Sequence, residues 1–276
     1  MRSSIITALL FATLPSAVTV AHAETHANER HDEAVEIARQ AKDPTHWAYV
    51  GEHGPTNWPT LNDDFEVCGG GPYQSPVALV SESASVHNDE LLLVYGASPL
   101  DEINNGHTIQ MNREAGDDHL LLNGHRYELI QGHFHSPSEH TLNGESFPME
   151  LHLVHVDAFD HLAVVGIPIR AGTENALFKD VFEHMPTKAG EHYMPNEGAL
   201  DLQAILPKEL DFLHYLGSLT TPPCTENVQW LVIETPLEMS KSQIDEFVDV
   251  VGENARPVQS LHHRVVTRNH AGGPSK

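Results

Sequence analysis

Two short stretches constrain this chain more than any bulk property: Gln131-Gly132-His133-Phe134-His135 and Glu150-Leu151-His152-Leu153-Val154-His155. Both alternate polar or imidazole side chains with apolar ones, the period of two that belongs to an extended strand. In a strand Gln131, His133 and His135 project from one face, while Gly132 and Phe134 project from the other. Glu150 and His152 share a face by the same parity, and an antiparallel neighbour brings His152 opposite the first pair. His155 has the wrong parity relative to His152 and reads as a packed or hydrogen-bonded structural histidine.

The surrounding texture agrees. Leu91 to Val94, Arg126 to Gln131, Glu150 to Val156 and Leu162 to Ile169 are rich in Val, Ile and Leu and are separated by Gly, Pro, Asn and Asp turns. Helical periodicity returns only around Leu177 to Phe182 and Ser240 to Val250. No internal repeat, low-complexity linker or composition break marks a second domain. The expected fold is mainly β (α+β): a single domain on a large, mostly antiparallel, twisted central sheet with short peripheral helices.

The chain has 276 residues, 40% of them hydrophobic, and a net charge of −24. The apolar fraction excludes a disordered chain, and so acidic a surface repels phosphate, which argues against nucleic acid or a membrane surface as partner. Arg2, an apolar run from Ile5 to Val20 and the small residues of Ala21-His22-Ala23 fit a removed secretory signal over residues 1–23. The alternative, a retained anchor, is short for a span and is broken by Pro15. No other segment is suited to cross a bilayer. Residues 24–44 form a charged lead-in, with Ala34, Ile37, Ala38 and Ala41 spaced as a short helical stripe and Pro44 as its stop. Export, to the periplasm or the medium, makes Cys68 and Cys224 natural disulfide partners, two buried free thiols being the other reading.

Three neutral imidazoles on one sheet face suit Zn2+ with an open fourth position, the arrangement of a catalytic site. Gln131 and Glu150, each two residues from a histidine on the ligand face, suit acceptors for the rings' remaining N–H groups. Other chemistries lack their signatures. There is no His-Glu-x-x-His helix, no Gly-x-Ser-x-Gly elbow and no phosphate loop, and Gly69-Gly70-Gly71 reads as a turn. Histidines such as His26, His31, His53, His262, His263 and His270 read as solvated surface residues.

From His46 onward, residues 45–270 resemble an α-class carbonic anhydrase of the bacterial, exported type. The resemblance rests on His46-Trp47-Ala48-Tyr49, Gly54-Pro55 with Trp58, Gln74-Ser75-Pro76, Asn104-Asn105-Gly106-His107, the histidine strands, Ser218-Leu219-Thr220-Thr221-Pro222-Pro223-Cys224 and Asn254-Ala255-Arg256-Pro257, in that order. It implies one zinc on His133, His135 and His152, with Gln131, Glu150 and the Asn254 backbone carbonyl behind them. It implies zinc-dependent reversible hydration of CO2 to bicarbonate and a proton by a zinc-bound hydroxide. Thr220 matches a gatekeeper hydroxyl that donates to Glu139. Val154, Val164, Leu219 and Trp230 match the apolar CO2 wall. His107 matches the proton shuttle, its midpoint expected at about 6.5, and Tyr49, Asn104, Asn105, Gln110 and Thr221 match the water path.

The cysteine pair matches a bridge beside Thr220, Ser75-Pro76 and Pro222-Pro223 match cis bonds, and bacterial relatives suggest a homodimer. Gly132, Ala48 and Ala255 depart from the commoner pattern, where a bulkier residue, a Gly and an aromatic stand. Gly132 faces away from the metal, so the expected consequence is local packing with no ligand lost. The competing functions are a catalytically silent binding module of the same family and an exported zinc-holding protein. The bridge predicts that, in protein taken from the periplasm or medium, neither Cys68 nor Cys224 reacts with an alkylating reagent until a reductant is added. Labelling of both thiols without reductant would exclude the bridge.

Overall fold

The structure, a computed structural model, describes residues 47–113, 116, 118–196 and 198–270. The expected signal (1–23) and charged lead-in (24–44) lie outside the described residues. Among those described, the architecture is built on one 13-stranded sheet. Its main path uses β1 (Ser85–His87), β2 (Glu102–Asn104), β3 (Ile109–Asn112), β4 (His125–His135), β5 (Met149–Val156), β6 (Leu162–Ala171), β7 (His192–Tyr193), β8 (Phe212–Ser218), β9 (Glu226–Ile233) and β10 (Thr267–Asn269). The spatial order is β7-β2-β3-β4-β5-β6-β9-β8-β10-β1.

Most pairings are antiparallel, as expected, but the sheet is mixed. β6 runs parallel to β9 and to Leu237–Met239, and β10 runs parallel to β1. A parallel pair needs a long crossover. The chain provides one between Ala171 and Phe212, through the short helix Lys179–Glu183, before the β8-β9 pair closes against β6. All four segments expected as strands are strands, and Leu91–Val94 pairs with His119–Leu122.

The period of two sorts side chains into two cores. Leu151, Leu153, Phe134, Met111, Val165 and Ile167 fill one face. There the Phe134 ring meets Phe178 and Phe182 at 5.4 Å and Phe247 at 6.1 Å, so the helices pack against this side. Phe247 comes from α1 (Lys241–Val251), whose start is fixed by a reciprocal cap between Ser240 and Gln243. The opposite face carries Val154, Val156, Val164, Trp230, Val232 and Tyr215, and the three histidines belong to it by parity. Gly132 points away from them: a Cβ there would meet Leu153 Cδ2 at 3.0 Å and Met111 Cε at 3.2 Å. A register shift between Val154 and His155 opens the β5-β4 ladder. His155 bonds Tyr95 Oη (2.8 Å) and the Ala163 carbonyl (3.2 Å), a structural role.

A third apolar cluster of Trp47, Trp58 and Phe65 surrounds Cys68 and Cys224, which are disulfide-bonded across 156 residues. In the chain-entropy picture a loop of that length stabilises the fold by about 5 kcal/mol. The Ser75-Pro76 and Pro222-Pro223 bonds are cis, as is Ser136-Pro137.

Glu102 on β2 is fully buried, and neither carboxyl oxygen has a hydrogen-bond partner. Burial, reinforced by the charge of Asp180, raises its pKa from 4.5 to about 8. Between those values the folded chain keeps a proton that the unfolded chain releases. The stability tied to Glu102 is therefore complete below pH 4.5 and is lost as pH rises through 8, a change on the order of 4 kcal/mol. Glu102→Gln should melt close to the parent at pH 5 and roughly 8 °C above it at pH 9. Equal melting temperatures at pH 9 would show that this carboxyl is not held neutral.

Candidate metal centre and cleft

β4 and β5 lie side by side with His133 directly opposite His152 and Glu150 opposite His135. The three ring centroids lie 4.6–5.2 Å apart. One nitrogen from each ring falls within 4.8 Å of the other two. The opposite nitrogens are committed elsewhere. His133 Nδ1 donates to Gln131 Oε1 at 2.7 Å, His135 Nδ1 to the Asn254 carbonyl at 2.7 Å, and His152 Nε2 to Glu150 Oε1 at 3.0 Å.

Those acceptors fix the tautomers. A neutral imidazole has one N–H, so His133 Nε2, His135 Nε2 and His152 Nδ1 each present a lone pair to a common point. His133 Nε2 and His135 Nε2 stand 3.1 Å apart with no proton left to share between them. Protonation does not relieve the crowding. Burial lowers the pKa of all three rings, His135 to about 4, and the neighbouring imidazoles deepen the effect at His133. Three neutral nitrogen donors with no thiolate are the donor set of a zinc site that keeps one position open. The residues present therefore fit the zinc expected from the sequence.

Glu150 anchors a network behind the rings. Its Oε1 accepts from His152 and, at 2.7 Å, from His140 Nδ1, and its Oε2 accepts from the backbone N–H groups of Glu139 (3.0 Å) and His140 (2.9 Å). Burial opposes its ionisation, but His140 and His152 outweigh that and hold it well below the usual carboxylate range. From His140 the chain of bonds runs to Tyr215 Oη (2.7 Å) and Ser75 Oγ (2.9 Å). His140, Tyr215 and Ser75 were not singled out from the sequence as support for the metal site. Their partners lie up to 140 residues away, and the sequence signals are His140's position beside Glu139 and Ser75's place in Gln74-Ser75-Pro76.

Glu139 lies beneath the centre, its Oε1 accepting from the Arg256 N–H at 2.8 Å. Burial raises its pKa to about 7, while His152, the Thr220 hydroxyl and that N–H hold it down. Its Oε2 is buried without a hydrogen-bond partner, and the nearby Thr220 hydroxyl favours the ionised carboxylate.

The three histidines line a cleft of mixed character. Val154, Val164, Leu219 and Trp230, which pack together, give it an apolar wall, and Tyr49, Asn105, Gln110 and Thr221 contribute polar groups. Asn104 is not brought into the cleft: its amide donates to the Pro186 carbonyl and its Oδ1 accepts from Gly106 N–H, which brace the turn. His107 lines the cleft stacked on Trp47, with ring centroids 3.7 Å apart and planes within 5°. Its Nε2 is buried without a partner, and burial lowers its pKa to about 4, below the value expected from sequence.

A mixed-sheet domain whose central strands bring three histidines, a grouping that could hold a metal ion, into a half-apolar cleft has the fold and candidate site of an enzyme. Residues 53–270 match the family model described as eukaryotic-type carbonic anhydrase. A carbonic anhydrase of Neisseria gonorrhoeae is 41% identical over 80% of this chain and 87% of that one, and one of Nostoc sp. is 40% identical over 80% and 84%. The solved α-carbonic anhydrase of Thermovibrio ammonificans, in complex with sulfanilamide, superposes with a TM-score of 0.75 at 38% identity, covering 80% of this chain and 98% of that one. The chain belongs to the α-class carbonic anhydrase family of enzymes.

Replacing any one of His133, His135 or His152 with Ala should abolish stoichiometric zinc uptake in a competitive chelator titration. Gln131→Ala should retain zinc with affinity lowered about 10–100-fold. Unchanged zinc affinity in a histidine variant would rule that ring out as a ligand.

Proposed function

We propose that this chain catalyses the reversible hydration of CO2 to bicarbonate and a proton, with one zinc held by His133, His135 and His152. The observation that carries the reading is the convergence of three unprotonated ring nitrogens in a cleft with an apolar wall. When bound, zinc supplies a Lewis acid that brings the pKa of a coordinated water to about 7, a value established on carbonic anhydrase itself.

The chain's own residues supply the rest. Gln131, Glu150 and the Asn254 carbonyl keep the three lone pairs aimed inward. Thr220, whose hydroxyl favours the ionised Glu139, would give its proton to that carboxylate and be left to accept, so orienting the water that reacts. Against the effect of burial, the ionised Glu139 that this arrangement needs is favoured by His152, the Thr220 hydroxyl and the Arg256 N–H. Val154, Val164, Leu219 and Trp230 give CO2, a ligand with little to offer in hydrogen bonds, a dry surface beside that water. The polar groups of Tyr49, Asn105, Gln110 and Thr221 lead toward His107. Stacked on Trp47 and desolvated, the ring is neutral at neutral pH, so it takes up a proton by turning out of the stack toward the cleft water, where an imidazole regains an affinity suited to relay.

The segment Arg2 to Ala23 and the Cys68–Cys224 bridge support export into an oxidising compartment, the periplasm or the medium. Stopped-flow CO2 hydration with and without a chelator tests the function: fast turnover that a chelator abolishes and zinc restores is expected. Several weakly held metals without turnover would favour a zinc-holding protein, and one tight zinc without turnover a silent module. His107→Ala should slow turnover in dilute buffer and recover with added imidazole. Thr220→Ala should keep zinc and lose about 100-fold in rate.

A further inference from the structure

Asn254 is 1% exposed, and all of its polar groups are used. Its backbone N–H donates to the Ser136 carbonyl at 2.9 Å, and its carbonyl accepts from His135. The side chain does something separate. Oδ1 accepts from Ser136 N–H at 2.7 Å, and Nδ2 donates to the carbonyls of Phe134 and His107, each at 3.0 Å. One acceptor and two N–H donors make up the hydrogen-bonding groups of a side-chain amide.

Within the turn that carries His107, Asn105 Oδ1 accepts from the N–H groups of His107 and Thr108, both at 3.0 Å, and Asn104 ties the turn to the Pro186 carbonyl. The turn's side-chain ties to the end of β4 run through Asn254 Nδ2 and through Thr108 Oγ1, which donates to the Phe134 carbonyl at 2.5 Å. The carbonyl that Thr108 and Asn254 share belongs to the residue between His133 and His135. One buried amide thus touches both the ligand strand and the shuttle turn.

We propose that the Asn254 side chain is a positioning residue for proton transfer, clamping the His107 turn to the strand that carries His133 and His135 and so fixing the shuttle ring relative to the metal centre. This role rests on the CO2-hydration reading and is distinct from that of the Asn254 backbone carbonyl, which any substitution at this position retains. Alanine removes both donors and leaves the His107 carbonyl without a side-chain partner. Aspartate sets a carboxylate against two carbonyl oxygens.

The test uses the zinc-loaded full chain as parent, Asn254→Ala, and Thr108→Val as an independent cut of the neighbouring tie should the first variant fail to fold. In Asn254→Ala, kcat for CO2 hydration in dilute buffer should fall about tenfold more than kcat/KM does, and excess imidazole should restore it. The His107 ring, followed by NMR, should titrate at least one pH unit higher than in the parent as it leaves its stack on Trp47. Thr108→Val should shift both readouts in the same direction by less. An unchanged His107 midpoint, or kcat and kcat/KM falling together without imidazole rescue, would overturn the clamp. A parent without CO2 turnover would remove the hydration reading alone, since the NMR midpoint still decides whether Asn254 positions the ring.

Discussion

Three imidazole lone pairs directed at one buried point form an unfavourable arrangement that a chain without a cation has every reason to avoid. Proton sharing does not relieve it, because each ring's N–H is already given to Gln131, Asn254 or Glu150. Burial does not relieve it either, because desolvation disfavours the imidazolium that would otherwise fill the gap. The grouping is one that could hold a metal ion. Much of the surrounding structure holds that geometry in place: the β4-β5 register, the Glu150-His140-Tyr215-Ser75 chain and the buried Glu139.

The sheet supplies rigidity that loops would not. His133, His135 and His152 stand on two central strands whose opposite face is packed with Phe134, Leu151 and Leu153. A rotation of any ligand strand would disturb a core at crystal-like density, which costs far more than reorienting a loop. The adaptable parts of the cleft, the His107 turn and the segment with Thr220 and Thr221, are tied back to this frame by side chains from distant positions. The Cys68–Cys224 bridge lies three residues beyond Thr221 and joins that segment to the Trp47 and Trp58 cluster. Trp47 in turn carries the His107 stack. The three-histidine grouping and the His107 turn are therefore linked to the same framework from two sides.

Much of the fold and the site was legible because both follow from parity. Alternation in Gln131 to His135 and Glu150 to His155 separates ligands from core, and the structure keeps that division down to Gly132 facing Leu153 and His155 bonding Tyr95. Parity says nothing about distance along the sheet, so the parallel β6-β9 pairing and the order of the outer strands were not readable. Asn104 and Asn105 illustrate the same limit at a site. The two neighbours have equal chemistry, yet only Asn105 lines the cleft, because the turn points the Asn104 amide at the Pro186 carbonyl. For His107 the sequence identifies the residue type, while the stack on Trp47 and the loss of solvent set its proton affinity.

What the sequence by itself determined is the local grammar: which side chains share a strand face, that a helical stretch begins around Ser240, which three histidines are available to a metal and which acceptors stand two residues away. These follow from covalent spacing and backbone periodicity, which are properties of adjacent residues. Only the tertiary structure decided which remote groups complete each hydrogen bond and how much water each site keeps. His140 finds Tyr215, Asn254 reaches both His107 and Phe134, and Glu102 is left neutral without a partner. Contacts and solvation of this kind depend on segments brought together across the whole fold, and no local pattern encodes them.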